Sequence, residues 1–561
     1  MAEKRIRPRY HYENVREMIE DVGVRFKDHG AYAYRINPRD KEDQIVRKTY
    51  EQLRDEVRAL STAFIKAGYA GKHITLIGKL SYNWVLVYYA TLCTGSVLIP
   101  LDKDWTAPEL SATVAKADTD VLICDKEIME KGEQIAAEVG LTTLISTGEG
   151  IDTMLKEGVE AFALDSAPYF NTEIDNEKMA LLVFTSGTTG KGKGVMLSQK
   201  AITWDLEDVV GFIGFSDKSV GVLPPHHTYG STVSIYGQNS VGIEVYISSG
   251  IRYILPELKE QKPGHLVMVP LYLETFYRRI QATLKDKGKL KTVNRMIKVS
   301  NFLRKIGIDL RRKFFGQILE SFGGRLDLVV CGGAAINQDM IDFFDGIGIE
   351  VLNGYGITEC APLISVNHSG RIVKGSVGFP IDGDIVRIDD PNEDGEGEIC
   401  VKGPNVMLGY FKDEEATADA MTEDGYFRTG DYGKLTSGGS ITITGRKKNL
   451  IILSNGKNVY PEEIESEFVA VPGVIDVIVY EGQSKRGIEE NKIVAEMYPD
   501  YDYMKNNGIE DVYEYLWQFV TDYNKNAVPY KKIGVLKVRT EEFPKNTLRK
   551  IMRFKLDMTI D

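Results

Sequence analysis

Hydrophobic positions in the first third of the chain alternate between helical and extended spacing. Helical spacing is carried by Leu53, Val57, Leu60 and Phe64, and a compact apolar run follows at 73–78. Further helical patterns cover 82–93 and 107–117, and buried-strand patterns cover 96–100 and 121–124. Because parallel strands need crossover connections, strands that alternate with single helices predict a doubly wound α/β sheet here.

The pattern changes twice further along the chain. A second α/β series has strand candidates at 220–223, 265–269 and 326–331. Between 375 and 445, short runs at 384–388, 397–402 and 440–444 alternate with Gly, Pro and Asp, which predicts a small β region. Later strand candidates lie near 475–480, 492–497 and 535–538. We therefore expect an α/β protein with a large N-terminal domain, residues 1–445, and a small α+β C-terminal domain, residues 446–561.

Composition is typical of a globular protein with several folding units. The 561 residues are 43% hydrophobic and 27% charged, which excludes a disordered or fibrous chain. The first ten residues lack the apolar segment of a secretory signal, and the longest apolar stretch, 82–101, is broken by Asn83, Gly95 and Pro100. We therefore expect a cytoplasmic protein without a transmembrane segment.

The cysteine pattern argues against a metal site, and the net charge argues against nucleic-acid binding. The five cysteines are scattered and lie mostly within apolar runs, which predicts reduced, buried thiols rather than a metal site. A net charge of −12 argues against nucleic-acid binding. The charge is uneven, however, because residues 285–313 contain eleven Lys or Arg and two Asp. This segment carries +9, and the remainder of the chain carries −21.

The basic segment 285–313 also has apolar residues at helical spacing between 293 and 306. A basic amphipathic helix either contacts an anionic lipid surface or packs on its own domain with its charges in solvent. The sequence leaves both interpretations open, so peripheral contact with the inner face of the membrane is a hypothesis. Charge reversal would test it at four cations, Arg304, Lys305, Arg311 and Arg312.

A glycine-rich stretch at 185–194 lies between two apolar runs. It reads Thr185, Ser186, Gly187, Thr188, Thr189, Gly190, Lys191, Gly192, Lys193 and Gly194. Glycines let successive N–H groups converge on an anion, while hydroxyls and lysines add donors and positive charge, so the stretch predicts a polyphosphate site. A nucleoside triphosphatase loop is excluded, because Gly194 stands where a magnesium-binding Ser or Thr is required and a strand pattern follows. A simple surface turn is the remaining alternative.

Six further motifs accompany this stretch. They are Asn-Gly-Tyr-Gly-Ile-Thr-Glu at 353–359, Gly-Glu-Ile at 397–399, Tyr-Phe-Arg-Thr-Gly-Asp at 426–431, Gly-Arg-Lys-Lys-Asn at 445–449, Asn-Gly-Lys-Asn-Val-Tyr-Pro-Glu-Glu-Ile-Glu at 455–465 and Pro-Lys-Asn-Thr-Leu-Arg-Lys at 544–550. In these motifs and their order the chain resembles the adenylate-forming (AMP-binding) enzymes, which include acyl-CoA synthetases, nonribosomal adenylation domains and luciferases. The resemblance spans almost the whole chain.

The resemblance implies that ATP and a carboxylate form an acyl-adenylate and pyrophosphate, and that a thiol then takes the acyl group. It implies ATP-binding residues from Thr185 to Lys191 and at Gly332, Gly333, Ala334, Tyr355, Gly356, Asp431 and Arg446. Tyr355 is expected beside adenine and Asp431 on the ribose hydroxyls. Thr358 is implied to contact the α-phosphate, and Glu359 is implied to bind Mg²⁺, a cation that prefers oxygen ligands.

The resemblance also implies that the C-terminal domain is mobile and rotates about a hinge at Lys448 between the two half-reactions. After rotation, Gly456 is expected to leave room for the pantetheine arm of CoA. This chain departs from the family pattern beside the hinge, where Asn449 replaces the usual Asp.

Lys550 matches the family's catalytic lysine, which stabilises the negative charge that gathers in the first half-reaction. The residue before it is commonly Gly and is Arg549 here, and Asn546 replaces a usual Thr. These departures put the reach of Lys550 in question. Lys545 and Lys555 are therefore kept as competitors.

His227 and Tyr229 lie in the run Leu-Pro-Pro-His-His-Thr-Tyr-Gly at 223–230, where the resemblance to acyl-CoA synthetases implies a catalytic or gating His and an acyl pocket. Amino-acid-activating relatives place an Asp nearby to pair with the substrate ammonium, and this run has none. The basic segment and the residues after it resemble those of bacterial-type long-chain fatty acyl-CoA synthetases. We therefore predict an AMP-forming fatty acyl-CoA synthetase, an acid–thiol ligase that uses Mg²⁺, ATP and CoA.

Three alternatives stay open at this point. The acyl group could pass to an acyl carrier protein instead of CoA, or the acid could be an aromatic or bile-type carboxylate. The third alternative is a non-catalytic nucleotide-binding scaffold that kept the fold.

Overall fold

The computed structural model describes residues 5–37, 44–185, 192–207, 209–452, 458–469, 471–483, 492–545 and 551–560. The first α/β series forms a seven-stranded sheet. Its strands lie in the order Gly409–Tyr410, Lys193–Ser198, Met179–Thr185, Val97–Leu101, His73–Ile77, Val121–Cys124 and Leu144–Ser146. The last five strands are parallel, and the other edge is antiparallel. The parallel α/β prediction for this region is confirmed.

Helices of this region follow the predicted pattern closely. They are Val15–Arg25, Tyr50–Lys66, Tyr82–Cys93, Ala107–Lys116, Met129–Val139, Glu149–Leu164 and Ala167–Asn171. Two of them begin with capping boxes, in which the side chains of Thr49 and Thr106 accept from the N3 backbone and the N3 side chain reaches back. Such reciprocal bonds satisfy N–H groups that a helix start leaves open, so the local sequence fixes these boundaries.

The second α/β series divides between two sheets. A five-stranded sheet has the order His265–Met268, Leu328–Cys331, Glu350–Gly356, Leu363–Val366 and Phe379–Pro380. A four-stranded sheet has the order Ile45–Thr49, Gly30–Arg35, Glu244–Ile247 and Lys218–Gly221. The strand candidate at 220–223 therefore does not join those at 265–269 and 326–331, since its strand pairs with Glu244–Ile247 instead.

The predicted small β region is an antiparallel sheet in the order Ile385–Asp389, Gly397–Lys402, Phe427–Leu435 and Ile441–Arg446. The short strands Ile451–Ile452 and Asn458–Val459 follow it. A three-stranded sheet of Val474–Gly482, Lys492–Pro499 and Val535–Val538 then packs with helices Pro461–Phe468, Tyr501–Asn506 and Val512–Asn526 around a hydrophobic cluster of its own. The mixed α/β class is confirmed, and the domain boundary at 445 stays a prediction.

The remaining helices cover the middle of the chain. They are Gln199–Glu207, a π-helix at Tyr229–Gly237, Gln238–Ser240, Ile254–Gln261, Pro270–Asp286, Leu290–Lys305, Arg311–Leu319, Gln338–Ile347 and Glu414–Asp419. Within the described ranges, no helix combines the length and apolarity that a membrane crossing requires. All five cysteines are buried, as the sequence predicts.

The N-terminal residues 5–11, here called the strap, run across residues 204–207 and 209–215, here called the wall segment. Three arginines of the strap lie over three aromatic rings of the wall: Arg5 over Phe212, Arg7 over Phe215 and Arg9 over Trp204, at 5.0, 6.0 and 5.5 Å from the ring centres. The Ile6 N–H donates to the Gly211 carbonyl at 2.7 Å, and Arg9 forms an ion pair with Glu207. The strap thus fixes the wall segment by both backbone and side-chain contacts.

Candidate active site

Three strands bring together the residues predicted to bind adenine, ribose and phosphate. Tyr355 lies in Glu350–Gly356, Asp431 in Phe427–Leu435 and Arg446 at the end of Ile441–Arg446. The Tyr355 hydroxyl donates to Asp431 Oδ2 at 2.7 Å, and Arg446 Nε pairs with Asp431 Oδ1 at 2.7 Å. Burial raises the pKa of Tyr355 well above its ordinary value, so its hydroxyl keeps the proton that it donates. We call these three residues the polar triad.

Three predicted ATP-binding residues, Gly332, Gly333 and Ala334, directly follow strand Leu328–Cys331 and are here called the glycine platform. Gly333 has a φ of +83°, a conformation that side chains disfavour, and a Cβ at Gly332 would lie 3.2 Å from the Gly354 carbonyl oxygen. The Tyr229 ring lies against both glycines, and its hydroxyl donates to the Val330 carbonyl at 3.1 Å. Gly333 and Ala334 are exposed. The platform therefore presents open backbone on one face and an aromatic ring on the other.

Glu359 lies on a short turn, Thr358–Cys360, directly after the strand that carries Tyr355. Its backbone carbonyl accepts from the Met407 N–H at 2.8 Å, and its Oε1 accepts from the Tyr410 hydroxyl at 2.9 Å. Gly356 opens the turn, since a Cβ there would lie 2.1 Å from the Pro362 carbonyl oxygen. The carboxylate predicted to bind magnesium is therefore held at both its backbone and its side chain.

The root of the glycine-rich stretch lies beside this turn. Thr185 and Lys193 are paired in the hairpin of Met179–Thr185 and Lys193–Ser198, which confirms the predicted strand after the loop. Lys193 Nζ lies 4.5 Å from the centre of the Tyr410 ring, so Tyr410 stands between Lys193 and Glu359. The predicted phosphate-binding residues 186–191 lie outside the described residues. Sequence reasoning missed Tyr410, because the strand Gly409–Tyr410 is too short to show a period.

Two neighbouring histidines, His226 and His227, lie just before the π-helix Tyr229–Gly237. The rings of His226 and His227 are 4.1 Å apart, and His226 Nε2 lies 3.5 Å from Asp102 Oδ2. Burial lowers the pKa of His226 to about 4, so this imidazole is neutral near pH 7. The His227 carbonyl accepts from the Gly230 and Ser231 N–H groups at 2.8 and 2.9 Å. His227 thereby anchors the start of the π-helix Tyr229–Gly237, a rare element that is frequent at functional sites.

An apolar cavity of about 60 Å³ extends from the glycine platform into the protein. Its lining includes Tyr229, Gly332, Gly333, Tyr355 and Gly356. It also includes aliphatic and aromatic side chains of the wall segment, the π-helix and the five-stranded sheet: Leu206, Val209, Val210, Ile213, Phe215, Val233, Val330, Leu363 and Val366. Among the described residues that line it, none is acidic or basic. Sequence reasoning found Tyr229 but missed the wall segment.

Comparison with known proteins agrees with this geometry. The family model described as AMP-binding enzyme matches residues 19–411, a span that includes the glycine-rich stretch, the platform and Glu359. The chain belongs to the AMP-binding enzyme family. The fold is also that of the ATP-bound structure of MatB from Rhodopseudomonas palustris, with a TM-score of 0.74 at 24% identity over 96% of this chain and 97% of that one.

Curated relatives of this AMP-binding enzyme include two ligases whose names give different acceptors. A long-chain-fatty-acid–CoA ligase 5 of Rattus norvegicus is 28% identical over 84% of this chain and 74% of its own length. A chloroplastic long-chain-fatty-acid–[acyl-carrier-protein] ligase of Arabidopsis thaliana is 28% identical over 79% of this chain and 72% of its own length. The two names share the acid and differ in the acceptor.

The magnesium prediction for this AMP-binding enzyme rests on Glu359. Within the described part of the chain, no group of three or more His, Cys, Asp or Glu side chains is placed to hold a metal ion by itself. Mg²⁺ commonly binds through one or two carboxylates together with substrate phosphates. A single supported carboxylate beside the root of a phosphate loop fits that mode.

The predicted hinge lies between the polar triad and the C-terminal strands. Lys448 is in the turn Lys447–Asn449, and burial followed by repulsion from Arg446 lowers its pKa. The neighbouring Lys447 forms an ion pair with Glu398 at 2.7 Å, and the Asn449 amide donates to Glu462. Asn449 thus makes a contact in place of the usual Asp. Rotation about Lys448 remains a prediction.

The predicted catalytic Lys550 and the predicted CoA-path residue Gly456 lie outside the described residues. Of the two competing lysines, Lys545 forms an ion pair with Asp476 at 2.6 Å, next to the C-terminal sheet. Lys555 ends the turn Arg553–Lys555. The salt bridge gives Lys545 a structural partner. Lys550 stays the prediction for catalysis, with Lys545 and Lys555 as its competitors.

Proposed function

We propose that this enzyme is an AMP-forming fatty acyl-CoA synthetase. The observation that carries the proposal is the apolar cavity that starts at the glycine platform and contains no charged side chain among its described lining residues. An amino acid would bring an ammonium group into this cavity, and burying it without a counter-charge is costly. An alkyl chain, in contrast, gains free energy from the same burial.

The first half-reaction joins carboxylate to phosphate. An oxygen of the fatty acid attacks the α-phosphorus of ATP, the bond to the β-phosphate bridging oxygen breaks, and pyrophosphate leaves. The polar triad is proposed to fix the nucleoside, and the glycine-rich stretch and Lys550 are proposed to stabilise the phosphate charge. Magnesium held by Glu359 would neutralise part of the same charge.

The second half-reaction moves the acyl group to sulfur. The thiolate of CoA attacks the carbonyl carbon of the adenylate, the bond to the phosphate oxygen breaks, and AMP leaves with its charge on the phosphate. Because phosphate and thiol must approach one carbonyl in turn, the proposed rotation about Lys448 would exchange Lys550 for the segment that contains Gly456.

The cavity must open to hold a long chain. An apolar cavity that binds benzene measures about 150 Å³, which is more than twice the volume seen here. The π-helix and the wall segment form the sides of the cavity, and the displacement of their side chains would lengthen it. The acyl chain is thus proposed to enter between Tyr229 and the wall segment.

ATP–pyrophosphate exchange over a panel of acids tests the proposal. We expect exchange with saturated fatty acids of eight to eighteen carbons and none with amino acids. A clear preference for benzoate-type or bile acids would overturn the choice of fatty acid. Absence of exchange with every acid would favour a non-catalytic nucleotide-binding protein.

The acceptor needs a separate experiment, because one relative is named for a carrier protein. With ATP and the preferred fatty acid, steady AMP release should require free CoA. If AMP release instead requires holo acyl carrier protein and CoA has no effect, the alternative acceptor is correct.

A further inference from the structure

The helix Leu290–Lys305, here called the basic helix, has two unlike faces. Its inner face buries Val293 and Ser300, and Ile297 packs against Gly346 of helix Gln338–Ile347. These contacts fix the helix on the five-stranded sheet region, so its outer face has a defined orientation.

Three large apolar side chains stand in solvent on that outer face. Val299, Phe302 and Ile306 are exposed by 50%, 64% and 60%. At 100° per residue these positions fall within an arc of about 60°, so they form one stripe along the helix. Ile308, just beyond the helix end, is 45% exposed. A contiguous apolar stripe of this kind marks an interaction surface more often than scattered single residues do.

Cations border the stripe on one side. Lys291, Lys298 and Lys305 are exposed and lie about 80–120° from Val299 around the helix, while Arg295 lies inside the stripe. In the described part of the chain, no acidic side chain forms an ion pair with these four residues. Their charge is therefore available to a ligand.

The arginines that the sequence suggested for charge reversal have other roles. Arg304 and Arg311 pair with Asp345 at 2.6 and 2.9 Å, and Arg312 donates to the Leu326 carbonyl at 3.0 Å. These residues fasten the neighbouring helices to one another. Reversing them would disturb the fold, so the surface charge must be tested at the lysines.

We propose that the outer face of the basic helix binds the surface of an anionic lipid bilayer, with the helix lying in the plane of the interface. Phe302, Ile306 and Val299 enter the headgroup boundary, and the bordering lysines contact lipid phosphates. A flat anionic surface needs no shape complementarity, which suits a convex helix face better than a folded protein partner does. The surface does not depend on the substrate proposal, because its binding can be measured without turnover.

Vesicle sedimentation of the full chain tests this inference. We compare vesicles of phosphatidylcholine alone with vesicles that contain phosphatidylglycerol, at low and high salt. We expect binding to the anionic vesicles only, weakened by salt. Failure to bind anionic vesicles, or equal binding to neutral ones, would overturn the proposal.

Two variants and a matched control locate the surface. The triple variant K291E/K298E/K305E should lose at least about 100-fold in partitioning, since each lysine near an anionic surface contributes about fivefold. The double variant F302S/I306S should bind about tenfold more weakly and become more sensitive to salt. The control K66E/K126E/K156E carries the same change in net charge at exposed lysines of the first α/β region and should bind like the unmodified protein.

Folding and activity checks keep the result interpretable. All variants should unfold at the same temperature and retain ATP–pyrophosphate exchange with soluble octanoate, because the face lies outside the proposed catalytic machinery. If the triple variant and its control lose binding equally, the attraction is general and the basic helix is not the site.

Discussion

The two sides of the candidate active site are built in different ways. On the nucleotide side, the polar triad and Glu359 sit on strands or on a turn directly after a strand, and their polar groups already have partners. On the acyl side, the lining is apolar, the cavity is only about 60 Å³, and its walls are a π-helix and the wall segment under the strap. The comparison indicates that the proposed nucleotide site is built in advance, whereas the proposed acyl site needs side chains that move.

The largest expected effect lies on the nucleotide side. Glu359→Ala removes the proposed magnesium ligand, and we expect ATP–pyrophosphate exchange to fall roughly 100- to 1000-fold. Raising the magnesium concentration should recover part of the loss. Tyr410→Phe is the matched variant, because it removes only the hydrogen bond to the carboxylate and should cost much less. Equal losses for the two variants would mean that Glu359 acts through the turn and not through the metal.

A pH effect on stability should originate at the buried histidines His226 and His265. Burial lowers the pKa of His226 to about 4, below its ordinary 6.5, so the unfolded chain binds this proton more readily. The free energy of unfolding should therefore fall by on the order of 3 kcal/mol as the pH drops from 6.5 to 4. Above pH 6.5 this loss is absent, because His226 is neutral in both the folded and the unfolded chain. Buried His265, with a pKa of about 3, adds a loss of the same sign.

Urea unfolding at pH 7.0, 5.5 and 4.5 measures this dependence. His226→Gln should flatten the profile in that window, whereas the same change at the exposed His29 should leave the slope as it is. An unchanged slope in His226→Gln would show that another group dominates the acid sensitivity.

A smaller effect on stability should distinguish the hydrogen-bonded hydroxyl of Tyr355 from the buried hydroxyl of Tyr88. Tyr355→Phe removes a hydrogen bond to the buried Asp431 carboxylate, and we expect a loss of about 1–3 kcal/mol in the free energy of unfolding and a higher KM for ATP. Tyr88→Phe is the control, since the Tyr88 hydroxyl is buried and has no hydrogen-bond partner among the described residues. Denaturant titration should show this control to be neutral or slightly stabilising.

The smallest effect tests the acyl side alone. A Cβ at Gly237 would lie 2.5 Å from Leu206 Cδ1, so Gly237→Ala should push Leu206 into the cavity. We expect kcat/KM for a sixteen-carbon acid to fall about fivefold and that for an eight-carbon acid to change little. Gly316→Ala, where a Cβ meets no atom within 4 Å, is the control. A uniform loss at both chain lengths would contradict this assignment of the cavity.

Local patterns explain why much of the fold could be predicted. The helix Tyr82–Cys93 and the strands Gly397–Lys402 and Val535–Val538 have the predicted bounds, because their periods and their capping or turn residues are local. The strand Gly30–Arg35 was missed although one partner, the antiparallel Ile45–Thr49, is close in sequence. Its other partner, Glu244–Ile247, pairs in parallel from about 200 positions away, so its burial between two strands depends on tertiary structure.

The residues of the candidate site also divide into those that a local motif reveals and those that only the folded structure reveals. Tyr355, Glu359 and Asp431 were found because each belongs to a contiguous motif. Tyr410 and the wall segment were missed because only tertiary packing brings them to the site. The basic segment shows the same limit, since composition alone does not separate the fastening Arg304 and Arg311 from the solvent-facing lysines.

The strap joins the beginning of the described chain to the wall of the acyl cavity across about 200 residues. Arg7 and Arg9 therefore meet Phe215 and Trp204 only once the wall segment has been synthesised, so these contacts have a high sequence separation in folding. Deletion of the strap would remove these contacts and loosen the wall segment that lines the cavity. Its loss should therefore affect the proposed acyl site before it affects the proposed nucleotide site.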